Sequence, residues 1–324
     1  MSKVTLEDVR KAREVVKDVI EKTPMLRGIA ISKKTGANIY YKCECFQKTG
    51  AFKIRGAYNK ISSLSEEEKA KGVIAASSGN HAQGVALSAK MLGLDATVVM
   101  PTCAPEAKVA STRENGANVV LVGDVFDEAF AEAKRMEKET GKTFLHPFDD
   151  PYVIAGQGTI TLEMYEALDG KIDTILCPIG GGGVLAGTLV TAKALNPNIK
   201  VIGIQTDNMP SMKASLDNGE VSSAHNGPTF ADGIAVMRPG ELTFSIVKEL
   251  VDDIITVSEK EMADAVLYLL KNQKIVAEGA AATSTAVLLS GKYVPKKDEN
   301  VACIITGGNI DPAMLVKIIN GEVK

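Results

Sequence analysis

Lys53 stands in the run Thr49-Gly50-Ala51-Phe52-Lys53-Ile54-Arg55-Gly56-Ala57. A lysine ahead of a helix is ordinarily a solvated surface residue. Here Phe52 and Ile54 flank it, with glycines near both ends, a setting suited to a partly desolvated amine. Desolvation lowers an amine's pKa from about 10.4, which is what a lysine that bonds covalently to a carbonyl requires. A second segment, Gly180-Gly181-Gly182-Gly183, follows the apolar run TILCPI and opens the helical pattern VLAGTLVTAKAL. Consecutive glycines let backbone N–H groups turn inward, and a helix N-terminus favours an anion, so this is a phosphate cup. No Gly-Lys-Ser/Thr follows it, and four adjacent glycines are not the spaced dinucleotide fingerprint; the plainer alternative is a flexible turn. A third segment, Ser77-Ser78-Gly79-Asn80-His81, follows VIAA and offers two hydroxyls, an amide and helix N-terminal donors to a carboxylate. A plain N-cap would need only one such residue. In the fourth, Thr306-Gly307-Gly308-Asn309, a short hydroxyl at a strand end can reach a ring nitrogen, although alone the segment reads as a turn.

All four segments need rigid elements behind them. Short apolar runs alternate with helical patterns, the signature of parallel sheets with crossover helices. Strands are expected over 39–43, 73–76, 96–99, 119–122, 143–145, 174–177, 201–205, 254–257 and 301–305, and helices over 80–92, 124–140 and 258–271, among others. Some nine strands are too many for one small sheet. The fold class is α/β, with two open, mostly parallel twisted sheets, flanking helices, and functional loops at the carboxyl ends of the strands.

Of the 324 residues, 45% are hydrophobic and 24% charged, enough for a large buried core. A net charge of -3 offers no footprint for nucleic acid and no tail for an anionic membrane. The charged start is neither a signal peptide nor an anchor, and no apolar run approaches the roughly 18 residues that span a bilayer. Five irregularly spaced cysteines argue for a reducing compartment, hence a cytoplasmic protein. Cys43 and Cys45 would share one face of a strand, as core residues rather than a zinc site.

GAFKIRGA, SSGNHAQGVA, HPFDDPYVIAGQGT, PIGGGG, TFADGIAV and TGGNID occur in this order between about Thr23 and Asp311. Together they resemble the fold-type II pyridoxal-phosphate enzymes, which share the tryptophan synthase β-subunit-like fold, and within them the threonine dehydratase and serine racemase group. The resemblance implies that pyridoxal 5'-phosphate is held on Lys53, with Phe52 beside its ring, Asn80 on the ring hydroxyl, Gly180 to Gly183 on the phosphate and Thr306 facing the ring nitrogen. A neutral hydroxyl such as Thr306 does not force that nitrogen to be protonated, which favours β-elimination over reprotonation. The substrate carboxylate is expected on Ser77, Ser78, Gly79, Asn80 and His81. The implied reaction converts L-threonine to 2-oxobutanoate and ammonia, and L-serine to pyruvate. Residues 1–48 and 148–324 are expected to form a large cofactor-binding domain, and 49–147 a small domain that closes over the cleft.

Serine racemase is the competing reading, and a non-catalytic amino-acid sensor on the same fold a more distant one. Ser78 favours the racemase, which resembles this chain in placing a serine opposite the lysine. Phe148 favours the dehydratase, since racemases tend to have asparagine there. Metal-dependent racemases bring a glutamate and an aspartate where this chain has Gln205 and Ser211, so no metal site is expected. The chain stops at Lys324, 13 residues after Asp311, so no C-terminal regulatory domain is expected and the short catabolic dehydratases are the nearest match. Some of those respond to AMP, and Lys48, Thr49, Gln83 and Asn309 occupy matching positions, whereas the Glu114-Asn115 stretch differs. A homodimer or homotetramer is expected.

Overall fold

A computed structural model describes residues 4–324. The first sheet has six strands in the order β1-β2-β10-β7-β8-β9. These are β1 (Met25–Arg27), β2 (Asn38–Cys43), β7 (Thr174–Pro178), β8 (Lys200–Thr206), β9 (Asp253–Val257) and β10 (Asn300–Ile305). The second, in the order β5-β4-β3-β6, contains β3 (Val73–Ala76), β4 (Ala96–Met100), β5 (Asn118–Leu121) and β6 (Thr143–Phe144). Every pairing is parallel except that of β1 with β2. All residues of β3, β4 and β7 are buried, as expected of strands covered on both faces.

The helices up to the second sheet's last strand are α1 (Leu6–Val16), α2 (Ile29–Thr35), α3 (Ile54–Ser62), α4 (Glu66–Lys71), α5 (Asn80–Leu92), α6 (Glu106–Glu114) and α7 (Phe126–Thr140). After it come α8 (Pro151–Ala167), α9 (Gly183–Leu195), α10 (Ser211–Asn218), α11 (Glu241–Leu250), α12 (Glu259–Tyr268), α13 (Gly279–Leu289) and α14 (Pro312–Ile319). Helices α8, α9 and α13 are apolar on nearly all sides, and each buries a run of ten residues or more in the core of the larger sheet.

The two-sheet expectation holds, with four local corrections. Strand β1 was not expected: three residues are too few to show alternation, and it pairs antiparallel at the sheet edge. Strand β2 ends at Cys43, so Cys45 lies in the 3-10 turn Glu44–Phe46 and is half-buried rather than on the strand face. The helix expected over 258–271 is α-helical only to Tyr268 and then widens into a π-turn, Leu269–Gln273. The one expected from 124 begins at Phe126, after an extended Val125.

Two features fix the start of α3. The guanidinium of the fully buried Arg55 forks onto Glu44 with Nε (2.7 Å) and Nη2 (2.8 Å). It also forks onto Glu163 with Nη1 (2.6 Å) and Nη2 (3.0 Å), and Nη1 reaches Thr159 Oγ1 at 3.2 Å, so all five N–H donors are used. Lys42 Nζ completes the cluster on Glu163 and the Thr23 carbonyl. One residue on, α3 crosses α8 at a contact of backbones. A Cβ on Gly156 would lie 2.6 Å from the Arg55 carbonyl oxygen and 2.6 Å from Gly56 Cα.

Candidate active site

Strands β3, β7 and β10 run into the loops that carry Ser77, Gly180 and Thr306. With the segment before α3, these loops line one cavity of about 750 Å³. Phe52, Lys53, Ser77, Ser78, Gly79, Asn80, His81, the four glycines, Thr306 and Asn309 all contribute to its wall, although their segments are far apart in the chain.

Lys53 is the residue just ahead of α3, and its Nζ donates to the Pro147 carbonyl at 2.8 Å. A histidine shapes the turn that presents this carbonyl. His146 Nδ1 accepts from the backbone N–H of Phe148 (3.3 Å) and of Asp149 (2.8 Å). Burial pushes the Lys53 amine down to about 8, while the carboxylate of Glu278 acts in the opposite direction.

The four glycines link β7 to α9. Gly182 caps the helix in the left-handed region, with φ +97°. A Cβ on Gly181 would lie 2.3–2.4 Å from three carbons of the Phe148 ring, and one on Gly183 would lie 2.9 Å from Phe148 Cβ. The Gly181 carbonyl is turned away and accepts from Thr243 Oγ1 at 2.7 Å. None of the N–H groups of Gly180, Gly181, Gly182 or Gly183 finds an acceptor within the described residues. Four unclaimed donors at the N-terminus of a 13-residue helix fit a phosphate.

Across the cavity, Ser77 Oγ accepts from the Gly79 N–H at 3.2 Å, which holds the loop in a tight turn ahead of α5. The imidazole of His81 is not a cation. Its Nε2 lies 2.9 Å from the Leu145 carbonyl, which can only accept, and burial followed by the charge of Lys53 pushes its pKa down to about 3. What His81 can offer a carboxylate is therefore its backbone N–H. Thr306 is 3% exposed at the end of β10, and its carbonyl accepts from the Phe52 N–H at 3.1 Å.

Of the positions matching an effector site, Thr49 and Asn309 meet directly, with Asn309 Nδ2 donating to the Thr49 carbonyl at 2.8 Å. Gln83 lies on α5, one turn past Asn80. Lys48 points outward, 3.8 Å from Glu21. Gln205 spends both ends of its amide on the chain, donating to the Met209 carbonyl and accepting from the Lys213 N–H, and Ser211 Oγ donates to the Val236 carbonyl.

Sequence reasoning missed Glu278, a buried carboxyl in the cavity wall whose two oxygens accept from Asn80 Nδ2 at 2.8 and 3.1 Å. A lone glutamate ahead of an alanine-rich helix carries no signal of its own. Also unexpected is the ion pair of Lys108 on α6 with Asp232, both in the cavity wall.

Residues 16–307 match the family described as pyridoxal-phosphate dependent enzyme, and the chain belongs to it. It is 52% identical over 322 residues to the L-threonine ammonia-lyase of Thermotoga maritima, covering 99% of this chain and 80% of that protein. It is 47% identical over 318 residues to the catabolic L-threonine dehydratase TdcB of Escherichia coli, covering 97% of this chain and 96% of that one. Among solved structures, maize serine racemase superposes with a TM-score of 0.93 at 34% identity, over 99% of this chain and 98% of that one. Among the described residues no helix is long and apolar enough to cross a membrane.

Proposed function

We propose that this chain is a threonine ammonia-lyase that converts L-threonine to 2-oxobutanoate and ammonia, and L-serine to pyruvate and ammonia. The observation that carries the reading is the half-buried Lys53 amine, set in one cavity with the glycine cup and the Ser77–His81 loop. The names of the Thermotoga maritima and Escherichia coli relatives support threonine as substrate.

Pyridoxal phosphate, when bound, supplies an electron sink for charge that develops at the substrate's α-carbon. The N–H groups of Gly180 to Gly183 hold its phosphate, Asn80 and Thr306 address the ring oxygen and ring nitrogen, and Phe52 flanks the ring. The Ser77–His81 loop takes the substrate carboxylate at the N-terminus of α5 and so turns the α-hydrogen toward Lys53. Lys53 Nζ, neutral in a large fraction of molecules near pH 8, accepts that proton. The β-hydroxyl departs as water with one proton, which balances the α-proton taken by Lys53, and one water is consumed when the released product hydrolyses to the 2-oxo acid and ammonia.

The test is 2-oxo acid release from L-threonine, L-serine, D-serine and hydroxyaspartate. L-Threonine is expected to be turned over with the highest kcat/KM. Bound cofactor with no 2-oxo acid from any of them would overturn the reading and point to a sensor. Ser78, in the same cavity wall as Lys53, favours racemisation of serine as a side activity, read as D-serine formed from L-serine.

The same reading assigns 1–48 and 148–324 to a large cofactor-binding unit and 49–147 to a unit that closes the cleft; the strands of the second sheet all fall between Val73 and Phe144. It places the enzyme in the cytoplasm as a homodimer or homotetramer. A strictly monomeric active protein by light scattering would contradict the assembly. An AMP-like effector belongs near Lys48, Thr49, Gln83 and Asn309, and a melting temperature unmoved by AMP would remove it.

A further inference from the structure

Glu278 is a buried carboxyl in the wall of a cavity whose glycine cup and Ser77–His81 loop are arranged for anions. It is the N-cap residue of α13, yet its side chain makes no bond to that helix and is directed at Asn80, at the head of α5. Glycines make the room. A Cβ on Gly307 would lie 2.7 Å from Glu278 Oε1, and one on Gly233 would lie 3.3 Å from it. The Glu278 backbone N–H donates to the Gly307 carbonyl at 3.1 Å, which fixes the residue to the loop that carries Thr306.

A chain of hydrogen bonds that starts from an obligate acceptor sets the Asn80 amide. The Thr49 carbonyl accepts from Asn309 Nδ2, and the same nitrogen donates to Asn80 Oδ1, each at 2.8 Å. The Asn80 oxygen is thereby used as an acceptor, its Nδ2 turns to Glu278, and one N–H remains for a ligand in the cavity.

We propose that Glu278 is a positioning residue for the cofactor: it holds Asn80 as an N–H donor toward the ring oxygen and places a negative charge opposite Lys53. A donor at that point stabilises an oxygen that carries negative charge, and the carboxylate favours a protonated nitrogen on Lys53. The proposal rests on the family's cofactor and not on which amino acid is the substrate. The charged groups that face Glu278 are Asp232 in the short helix Asp232–Ile234, Lys108 on α6 and Lys53 itself. The imidazoles of His81 and His146 face Lys53, and burial lowers the pKa of both. Burial and then Asp232 push the Glu278 carboxyl up to about 7, against the bond from Asn80. Its charge is therefore present above that pH and lost below it. Among the described residues no lysine or arginine forms an ion pair with it. A buried carboxyl without such a pair costs stability, a cost more readily explained by a role in the site than by the fold.

The test is a pH titration of the absorbance of the Lys53-bound cofactor in the holoenzyme, with no substrate present. The wild-type spectrum is expected to change in a step near pH 7. Glu278→Gln, which keeps the shape and can still accept from Asn80, should remove the step, and Glu278→Asp should restore one. Asp232→Asn, at a half-exposed position, should move the step to lower pH. A purely structural Glu278 would lower the melting temperature of its variants and leave the step in place. A step unmoved in both Glu278→Gln and Asp232→Asn overturns the proposal. If Glu278→Gln fails to retain cofactor, Asp232→Asn alone decides, since its step either moves or does not. A substrate other than threonine would leave this titration intact, whereas a protein that binds no pyridoxal phosphate would fail at the first spectrum.

Discussion

The backbone N–H of Phe52 donates to the carbonyl of Thr306 at 3.1 Å, and an antiparallel bridge joins the neighbouring Ala51 and Gly307. The segment that bears Lys53 is thus stitched to the end of β10. The proposed cofactor lysine and the hydroxyl proposed to face the ring nitrogen therefore share one frame. Any shift of the ring that served one contact would be reported at the other.

Lys53 sets the first expectation. Because burial lowers its amine to about 8, the nucleophilic neutral form prevails above that pH. Uptake of pyridoxal phosphate by the apoprotein should accelerate about tenfold per pH unit up to about 8 and then level off. Stopped-flow absorbance measures this, and a plateau only above pH ~10, where an ordinary lysine titrates, would contradict it. Lys53→Ala should show no lysine-bound absorbance and lose several orders of magnitude in turnover.

Ser78 separates two reactions. Ser78→Ala should raise KM for L-threonine roughly ten- to a hundredfold, the loss of one bond to a charged group at about 1.5–3 kcal/mol, while much of kcat persists. The same change should abolish racemisation and elimination from D-serine, which need a group on the face opposite Lys53. A Ser78→Ala protein that retains cofactor but is dead on L-threonine would end this division of roles.

Gly181→Ala tests the phosphate cup. The added methyl would clash with the Phe148 ring, and overpacking of that kind costs about 1–3 kcal/mol, or roughly five- to 150-fold in affinity. Equilibrium dialysis of pyridoxal phosphate against the apoprotein should record the loss. An unchanged Kd would place the phosphate elsewhere.

Arg55→Ala should be among the most destabilising single changes in the chain. It leaves two buried carboxylates, Glu44 and Glu163, with Lys42 as the cation remaining beside them, and breaking a buried ionic cluster from one side costs about 3–5 kcal/mol. Thermal melting of the apoprotein measures it. Arg55→Lys keeps the charge but cannot make the double fork, so it should recover only part. A melting temperature within a degree or two of wild type for Arg55→Ala would mean that the cluster contributes little.

Much of this architecture was legible because parallel strands leave continuous apolar runs, and the polar loops after them stand out. Val73–Ala76 followed by Ser77, and Thr174–Pro178 followed closely by four glycines, are punctuation of that kind. What stayed hidden depends on partners remote in the chain. Arg55, Glu44 and Glu163 read as ordinary charged residues until α8 is laid across α3, and Glu278 reads as a solvated helix start until Asn80 lies beside it. The three residues of β1 are invisible for another reason: an edge strand that short has no period to detect.

The crossing of Gly56 and Gly156 has a consequence for how this chain tolerates change. The proposed cofactor lysine owes its placement to a junction where Gly156 meets only the main chain of Arg55 and Gly56, and where Gly56 meets the Val153 carbonyl and the Gln157 side chain, so backbone stands in the way of a larger residue at either position. Inactive variants should therefore arise at positions that touch no ligand and line no cavity. In a random library screened for lost turnover, replacements at these two glycines should recur alongside those at Lys53 and its loops.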